Sequence, residues 1–289
     1  MTDRSYQKNR FRINSTWLLI GAMVIGFGLL IYPTAADCWN SFHQSQAVSS
    51  YMESVASIDN KAFKEMWAEA VQYNNSLLTN DHRYIPSAEE IERYNSILNV
   101  NSTGIMSYIE IPSLKISLPV YHGTSDAVLK VAVGHIEGSS LPVGGSSTHC
   151  VISGHRGLPS ARLFTDIDRL VNGDTFILDT LGETLTYEVD QIRIVLPNEL
   201  EDIEIEEGKD YCTLVTCTPY GVNSHRLLVR GHRVSSAKEH IHVTAEAVQI
   251  DPSNVAIGFG ILILVLFGLA TVIQDMLRNR RKHSWTQKN

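Results

Sequence analysis

Two stretches of this chain hold side chains able to carry out acyl transfer. In "TLVTCTPYGVNSHRLLVRG" (213–231), Cys217 ends an apolar run, a Pro-Tyr-Gly turn follows, and Arg226 lies nine residues further on. In "VISGHRG" (151–157), His155 follows another apolar run and has glycines on both sides, Gly154 and Gly157. A thiol at the end of a strand, just before a turn, looks into a cleft and not into a core. A nearby imidazole can take its proton, and a guanidinium can steady the thiolate or the oxyanion that forms on attack. Each residue also has a plainer reading. A lone cysteine is more often packing than nucleophile, a histidine after a strand is more often structural than basic, and Arg226 can be a surface ion-pair partner. On residue types alone, nucleophile, metal ligand and core residue all stay open for Cys217.

The neighbours sharpen the choice without closing it. Cys212 and Cys217 are five residues apart, so on one strand they face opposite sides and do not readily pair. His225 and Arg226 also point to opposite faces, which leaves His225 structural or exposed. Arg230 shares a face with Arg226 and is a secondary candidate. His135 and His149 are alternative bases, but the "SGHRG" context favours His155. Cys150 is most simply core. A zinc site built from Cys150, His155, Cys212 and Cys217 lacks the close CxxC pairs of structural zinc. The acidic stretch 199–210 has no regular oxygen-ligand spacing for calcium and reads as a solvated loop or short helix. No cofactor or metal is expected.

The elements that must position these groups divide the chain by texture. With a formal charge of -7 and no basic face in its central region, the protein is not built around nucleic acid, which needs clustered positive charge. Residues 17–36 (WLLIGAMVIGFGLLIYPTAA) and 255–273 (VAIGFGILILVLFGLATVI) carry no charge. At about 1.5 Å per residue each crosses a hydrocarbon layer of roughly 30 Å. Arg4, Lys8, Arg10 and Arg12 flank the first; Arg278, Arg280, Arg281 and Lys282 flank the second. Positive flanks stay inside, so residues 1–16 and 274–289 are expected as cytoplasmic tails of a cell-membrane protein, with 38–250 outside. A cleaved signal peptide is the competing reading of the first span, from Ala35-Ala36; its length favours a membrane helix.

Residues 38–103 read as an extracytoplasmic helical segment. A helix over 44–79 presents Phe63, Met66, Trp67, Ala70, Val71 and Leu78 at i, i+3, i+4, i+7 spacing, and a second runs from Ser87 to about Leu98. Over residues 104–236 seven short β-branched and aromatic runs alternate with Gly, Pro and Ser, interrupted by one helix, Ala161 to Val171. That pattern is mainly β and suggests a closed or nearly closed barrel. Residues 237–254 form a linker to the second span. Four scattered cysteines make no disulfide framework.

In order along residues 104–233, "HGTS", "SSLPVGG", "VISGHRGLPSARLF", "TLVTCTPYG" and "HRLLVRG" resemble the class C sortases, the pilin-polymerising cysteine transpeptidases of Gram-positive bacteria. The resemblance implies an eight-stranded β-barrel, with Cys217 as nucleophile, His155 as general acid and base, and Arg226 steadying the substrate carbonyl and oxyanion. Thr216 matches the family's TLxTC signature and is implied to shape the substrate pocket. The implied partners are pilin subunits with a Leu-Pro-x-Thr-Gly-like sorting signal and an acceptor lysine, and the lipid around two spans. Two alternatives accompany it: a cell-wall anchoring sortase using a peptidoglycan-precursor amine, and a non-catalytic assembly factor. Class C members carry an Asp-Pro-aromatic lid before the barrel. Here "TNDHRYIPSAEE" (79–90) has Asp81 without the proline and aromatic directly after it, leaving Asp81 and Tyr84 as lid candidates.

Overall fold

The computed structural model describes residues 15–80, 82–100, 102–235 and Gly268. The chain divides into two compact units, Met1–Tyr32 with Glu239–Asn289 and Pro33–Lys238. In the first, helix α1 (Ser15–Ala56) begins, and its apolar side chains Val24, Ile25, Leu29 and Leu30 are exposed. Among the described residues, Ile20–Ala56 is the one helical stretch long and apolar enough to cross a membrane. The second expected span, the linker before it and the basic tails lie outside the described residues, save Gly268 and the last residues of the N-terminal tail, Ser15 and Thr16.

The charge-free stretch ends at Ala36, but the helix does not. It continues through Pro33 to Ala56, because a proline removes only one intrahelical hydrogen bond and the residues beyond it gain partners on the barrel. The Asp37 carboxylate accepts from Arg162 N (2.8 Å), Asn40 donates to Ser160 O (2.7 Å) and Gln44 donates to Val131 O (2.7 Å). The buried Tyr51 hydroxyl donates to Met106 O and accepts from Leu181 N (3.0 and 2.9 Å).

The expected helix over 44–79 is two helices. The chain breaks after Ala56, and the Asp59 carboxylate caps α2 (Asn60–Leu77) by accepting from the amides of Lys61 and Ala62, satisfying donors that the helix itself leaves free. Its buried face carries Ala70, Tyr73, Asn74 and Leu77, with Phe63, Met66 and Trp67 partly buried beside it. Val71 and Leu78, expected on that face, are exposed; each sits one residue, about 100°, further round the helix. Helix α3 (Ala88–Ser96) starts at the expected Ser87, which forms a reciprocal capping box with Glu90.

Eight strands close into a barrel: β1 (Ile105–Ile111), β2 (Ile116–His122), β3 (Val133–His135), β4 (Thr148–Ser153), β5 (Thr175–Thr180), β6 (Glu183–Val195), β7 (Asp210–Thr218) and β8 (His225–Val234). Their order around the barrel is β1-β2-β3-β4-β7-β8-β6-β5, with β2–β3 and β4–β7 parallel and the other neighbours antiparallel. Three-residue β3 is the strand missing from the seven sequence runs. The expected helix from Ala161 to Val171 is absent; only a short 3-10 turn, Ile167–Arg169, forms there. Leu163 has φ +40°, which an α-helix does not accommodate, and Phe164 instead drives a fully buried ring into the core. The acidic stretch contains another 3-10 turn, Glu201–Ile203.

Alternation along the strands decides what each face carries. Strand β7 turns Cys212 and Leu214 into the main core and Val215 outward, where it packs with Val151, Ile203 and Leu228 in a separate cluster. By the same alternation Thr216 points inward and Cys217 outward.

Candidate active site

Two of the three residues singled out for chemistry form a row across the adjacent strands β7 and β8, and the third, His155, lies in the loop that leaves β4 at the same end. Cys217 on β7 is the direct register partner of Arg226 on β8, which sets their Cα atoms about 4.5–5.5 Å apart. On the other side of β7, the parallel pairing with β4 ends at Ser153 opposite Val215. Beyond Ser153 the strand ends, and the chain passes through Gly154, whose amide donates to Val215 O (3.0 Å), into the loop that carries His155, at the same end of β7 as Cys217. All three side chains are half-buried.

Two hydrogen bonds fix the histidine loop to the cysteine strand. Gly154 N donates to Val215 O (3.0 Å), and the buried Thr216 hydroxyl donates back to Gly154 O (2.7 Å). Gly154 is therefore held by the two residues that precede Cys217, and His155 by its neighbour Gly154. Nothing larger fits there: a Cβ on Gly154 would stand 2.6 Å from the Phe164 ring and 2.9 Å from Val133. Thr216, expected to shape the substrate pocket, is 1% exposed, and its hydroxyl is committed to this backbone link. The signal for it was the inward parity of Thr216; its partner, 62 residues away, had none.

A second clasp lies outside the row. Arg156 forms an ion pair with Asp168 and reaches over the Tyr220 ring, which itself covers Gly157 so closely that a Cβ there would meet it at 2.7 Å. The loop carrying His155 is thus tied to the turn that follows Cys217. Arg226 is steadied through Nη1, which donates to Asn223 O and His225 O (3.2 and 3.1 Å). Among the described residues it has no carboxylate partner, and the His155 ring has no hydrogen bond. Both therefore keep free donor or acceptor capacity for a substrate.

The remaining candidates fall away from the row. Arg230 is held by both Asp190 carboxylate oxygens (3.0 and 3.1 Å) and lies over the Tyr211 ring. His135 is fully buried between the Tyr94 hydroxyl, Ser139 and the Ser140 carbonyl. His149 is buried against Thr213 Oγ1 and Glu204 O, and its desolvation pushes its pKa down to about 4. Cys150 and Cys212 are register partners inside the barrel, both free thiols, and burial pushes the Cys212 thiol well above its ordinary value. Among the described residues no cluster of His, Cys, Asp and Glu has the makings of a metal site. His225 pairs with Thr218, off the row.

Of the lid candidates, Asp81 lies outside the described residues. The Tyr84 hydroxyl donates to Ile203 O (3.3 Å), and its ring packs on the outward cluster of Val151, Val215 and Leu228. Beside it opens a groove of about 650 Å³ whose lining includes Tyr84, Ile136, Leu200, Ile203 and His122 to Ser125.

A family model described as "Sortase domain" matches residues 109–234. The crystal structure of sortase C1 from Streptococcus agalactiae is similar at 53% identity and a TM-score of 0.64, covering 66% of this chain and 98% of that one. That of Streptococcus pneumoniae sortase C, whose title refers to pilin substrate specificity, is similar at 42% identity and a TM-score of 0.60, covering 66% and 97%. Sortase A of Streptococcus agalactiae serotype III is 30% identical over 117 residues, 39% of this chain and 47% of that protein. The chain spans between 47 and 63% of the length of the curated relatives it matches.

Proposed function

We propose, since this chain belongs to the sortase family and within it to class C, that it is a cysteine transpeptidase joining pilin subunits at the cell surface. The observation that carries the reading is the direct register of Cys217 on β7 with Arg226 on β8, with the loop that carries His155 leaving the neighbouring strand β4 at the same end. The Cys217 sulfur attacks the Thr–Gly carbonyl carbon of a Leu-Pro-x-Thr-Gly-like sorting signal, its proton passing to His155. The carbonyl π-electrons move to oxygen, where the Arg226 guanidinium donates hydrogen bonds to the developing charge. As the tetrahedral centre collapses, the C–N bond breaks, His155 gives its proton to the departing glycine amine, and a thioester to Cys217 remains. A lysine amine of a second pilin then attacks the thioester, His155 takes the amine proton, and Cys217 leaves as an isopeptide bond forms. No acid is needed to hold the imidazole, which leaves it free to swing between sulfur and amine.

The exposed apolar side chains of α1 support anchorage in a membrane, the barrel facing outward and both termini in the cytoplasm. The second span, within 255–273, completes this arrangement. The likeness to a sortase A favours one other acceptor, a peptidoglycan-precursor amine.

The test uses the full-length protein in detergent with a Leu-Pro-x-Thr-Gly peptide and, as competing acceptors, a lysine-bearing pilin and a glycine-type amine. The parent protein is expected to show a thioacyl adduct on the Cys217 peptide by mass spectrometry and to favour the pilin lysine. Cys217→Ala retaining product formation would overturn the nucleophile, and preference for the glycine amine would turn the reading to wall anchoring.

A further inference from the structure

We infer that Tyr84 is a specificity-determining residue: braced by Arg83, it forms a fixed wall of the groove that receives the apolar head of the sorting signal, and not a lid over Cys217. This inference rests on the transpeptidase reading above.

Four observations place the strap. The Arg83 guanidinium pairs with Glu204 of the β6–β7 loop, although its side chain is only 9% exposed. It also lies over the Tyr84 ring, 5.0 Å from the centroid. The Tyr84 hydroxyl donates to the carbonyl of Ile203, next in the chain to Glu204. On the opposite flank, the Arg83 backbone is seated against Gly138 in the β3–β4 loop, where a Cβ would stand 2.2 Å from Arg83 O. The strap thus ties Gly138 of the β3–β4 loop to Ile203 and Glu204 of the β6–β7 loop, and its Tyr84 lines the groove beside them.

Its position relative to the chemistry follows from strand register. Val215 and Leu228, on which the Tyr84 cluster packs, are each two residues from Cys217 and Arg226 on the same outward face. An extended peptide advances about 3.3 Å per residue. With its scissile carbonyl at Cys217 and its upstream part running toward Val215, as the inference requires, the residues two and three places upstream reach the level of Tyr84 and Ile203. In the proposed signal those are the proline and leucine, and an aromatic ring beside Ile136, Leu200 and Ile203 is an apolar surface suited to them. A lid would instead engage the reacting groups. Among the described residues, no hydrogen bond joins residues 82–86 to Cys217, His155 or Arg226.

The experiment compares full-length parent, Tyr84→Ala, Tyr84→Phe, Arg83→Met and Glu204→Gln proteins in detergent. Two quantities are read: KM and kcat for a quenched Leu-Pro-x-Thr-Gly peptide, and the iodoacetamide alkylation rate of Cys217, followed on its own peptide by mass spectrometry because Cys38 is exposed too. Losing one well-placed apolar contact in a pocket costs about ten-fold or more in selection. Tyr84→Ala is expected to raise KM about ten-fold with kcat and alkylation rate within two-fold of the parent. Tyr84→Phe, which keeps the ring and loses the bond to Ile203 O, is expected to raise KM less than Tyr84→Ala does; Arg83→Met and Glu204→Gln, which break the same ion pair, raise KM alike. A faster alkylation of Cys217 in Tyr84→Ala would show a lid and overturn the inference, as would an unchanged KM. In both cases turnover by the parent protein would still stand, so the transpeptidase reading fails only if the parent itself does not process the peptide.

Discussion

Replacing Thr216 by valine tests how the histidine loop is held. The substitution keeps the shape of the side chain and removes one 2.7 Å hydrogen bond, from the Thr216 hydroxyl to the carbonyl of Gly154. Both residues are buried, so water does not replace the lost donor, and a buried carbonyl without a partner costs about 1–3 kcal/mol. The loop can escape that penalty only by moving Gly154, and with it His155, away from β7. A displacement of about 1 Å at a catalytic group costs on the order of 100-fold in rate. Steady-state turnover of a sorting-signal peptide by full-length Thr216→Val should therefore fall about 10- to 100-fold in kcat, with little change in KM. Thr216→Ser, which keeps the hydroxyl, should recover most of the rate. Thermal unfolding of both variants separates the two costs. If Thr216→Val loses stability yet keeps kcat within two-fold of the parent, the hydrogen bond is structural only and the positioning argument fails.

Three further outcomes follow from the same geometry. Arg226→Lys keeps the charge but loses the planar fork, and should lower kcat by about 100-fold or more; a rate near the parent's would remove Arg226 from oxyanion stabilisation. His149 is buried as the neutral imidazole, with a pKa near 4 against about 6.5 in the unfolded chain. The unfolded state therefore takes up a proton first as pH falls. Stability fully present above about pH 6.5 is lost down to about pH 4, at most about 3 kcal/mol at 1.36 kcal/mol per unit. Denaturant unfolding at pH 7.5, 5.5 and 4.5 should show this slope flattened in His149→Gln; parallel slopes would discount the group. Gly154→Ala forces a methyl group against Phe164 and Val133, so its melting temperature should drop with a cost of about 1–3 kcal/mol, and an unshifted melt would show that the loop yields there.

Strand parity was the most informative reading of the primary structure. A period of two separates Cys217 and Arg226 from Cys212 and His225, and the structure puts the first two in direct register. What parity cannot supply is the pairing between distant segments. The link from Thr216 to Gly154 spans 62 residues, and the parallel pairing of β4 with β7 leaves no local mark. Strand β3 is too short at three residues for any periodicity to register. Helix limits were blurred for a different reason. An apolar stretch reports the solvent around a helix, whereas its end at Ala56 depends on partners such as Val131 and Met106 on the barrel. Helix α2 was found, but its phase was misjudged by one residue at Val71 and Leu78, because isolated apolar residues also occur on exposed faces.

The closed ladder also restricts how a peptide can be read. Many domains that bind extended peptides do so by strand addition, lending the guest the unpaired amides of a sheet edge. Strand β7 offers little of such an edge: β8 pairs with it as far as Thr218 on one side, and β4 on the other as far as Val215, two residues short of Cys217. As far as Val215 its main-chain groups are committed within the barrel. A guest crossing this face must find its partners among side chains and loop carbonyls, so its affinity depends on a few anchor residues and not on a continuous ladder. Exchange of those anchors in the surrounding loops would redirect the enzyme to another signal while the barrel, and the three residues it displays, stayed the same.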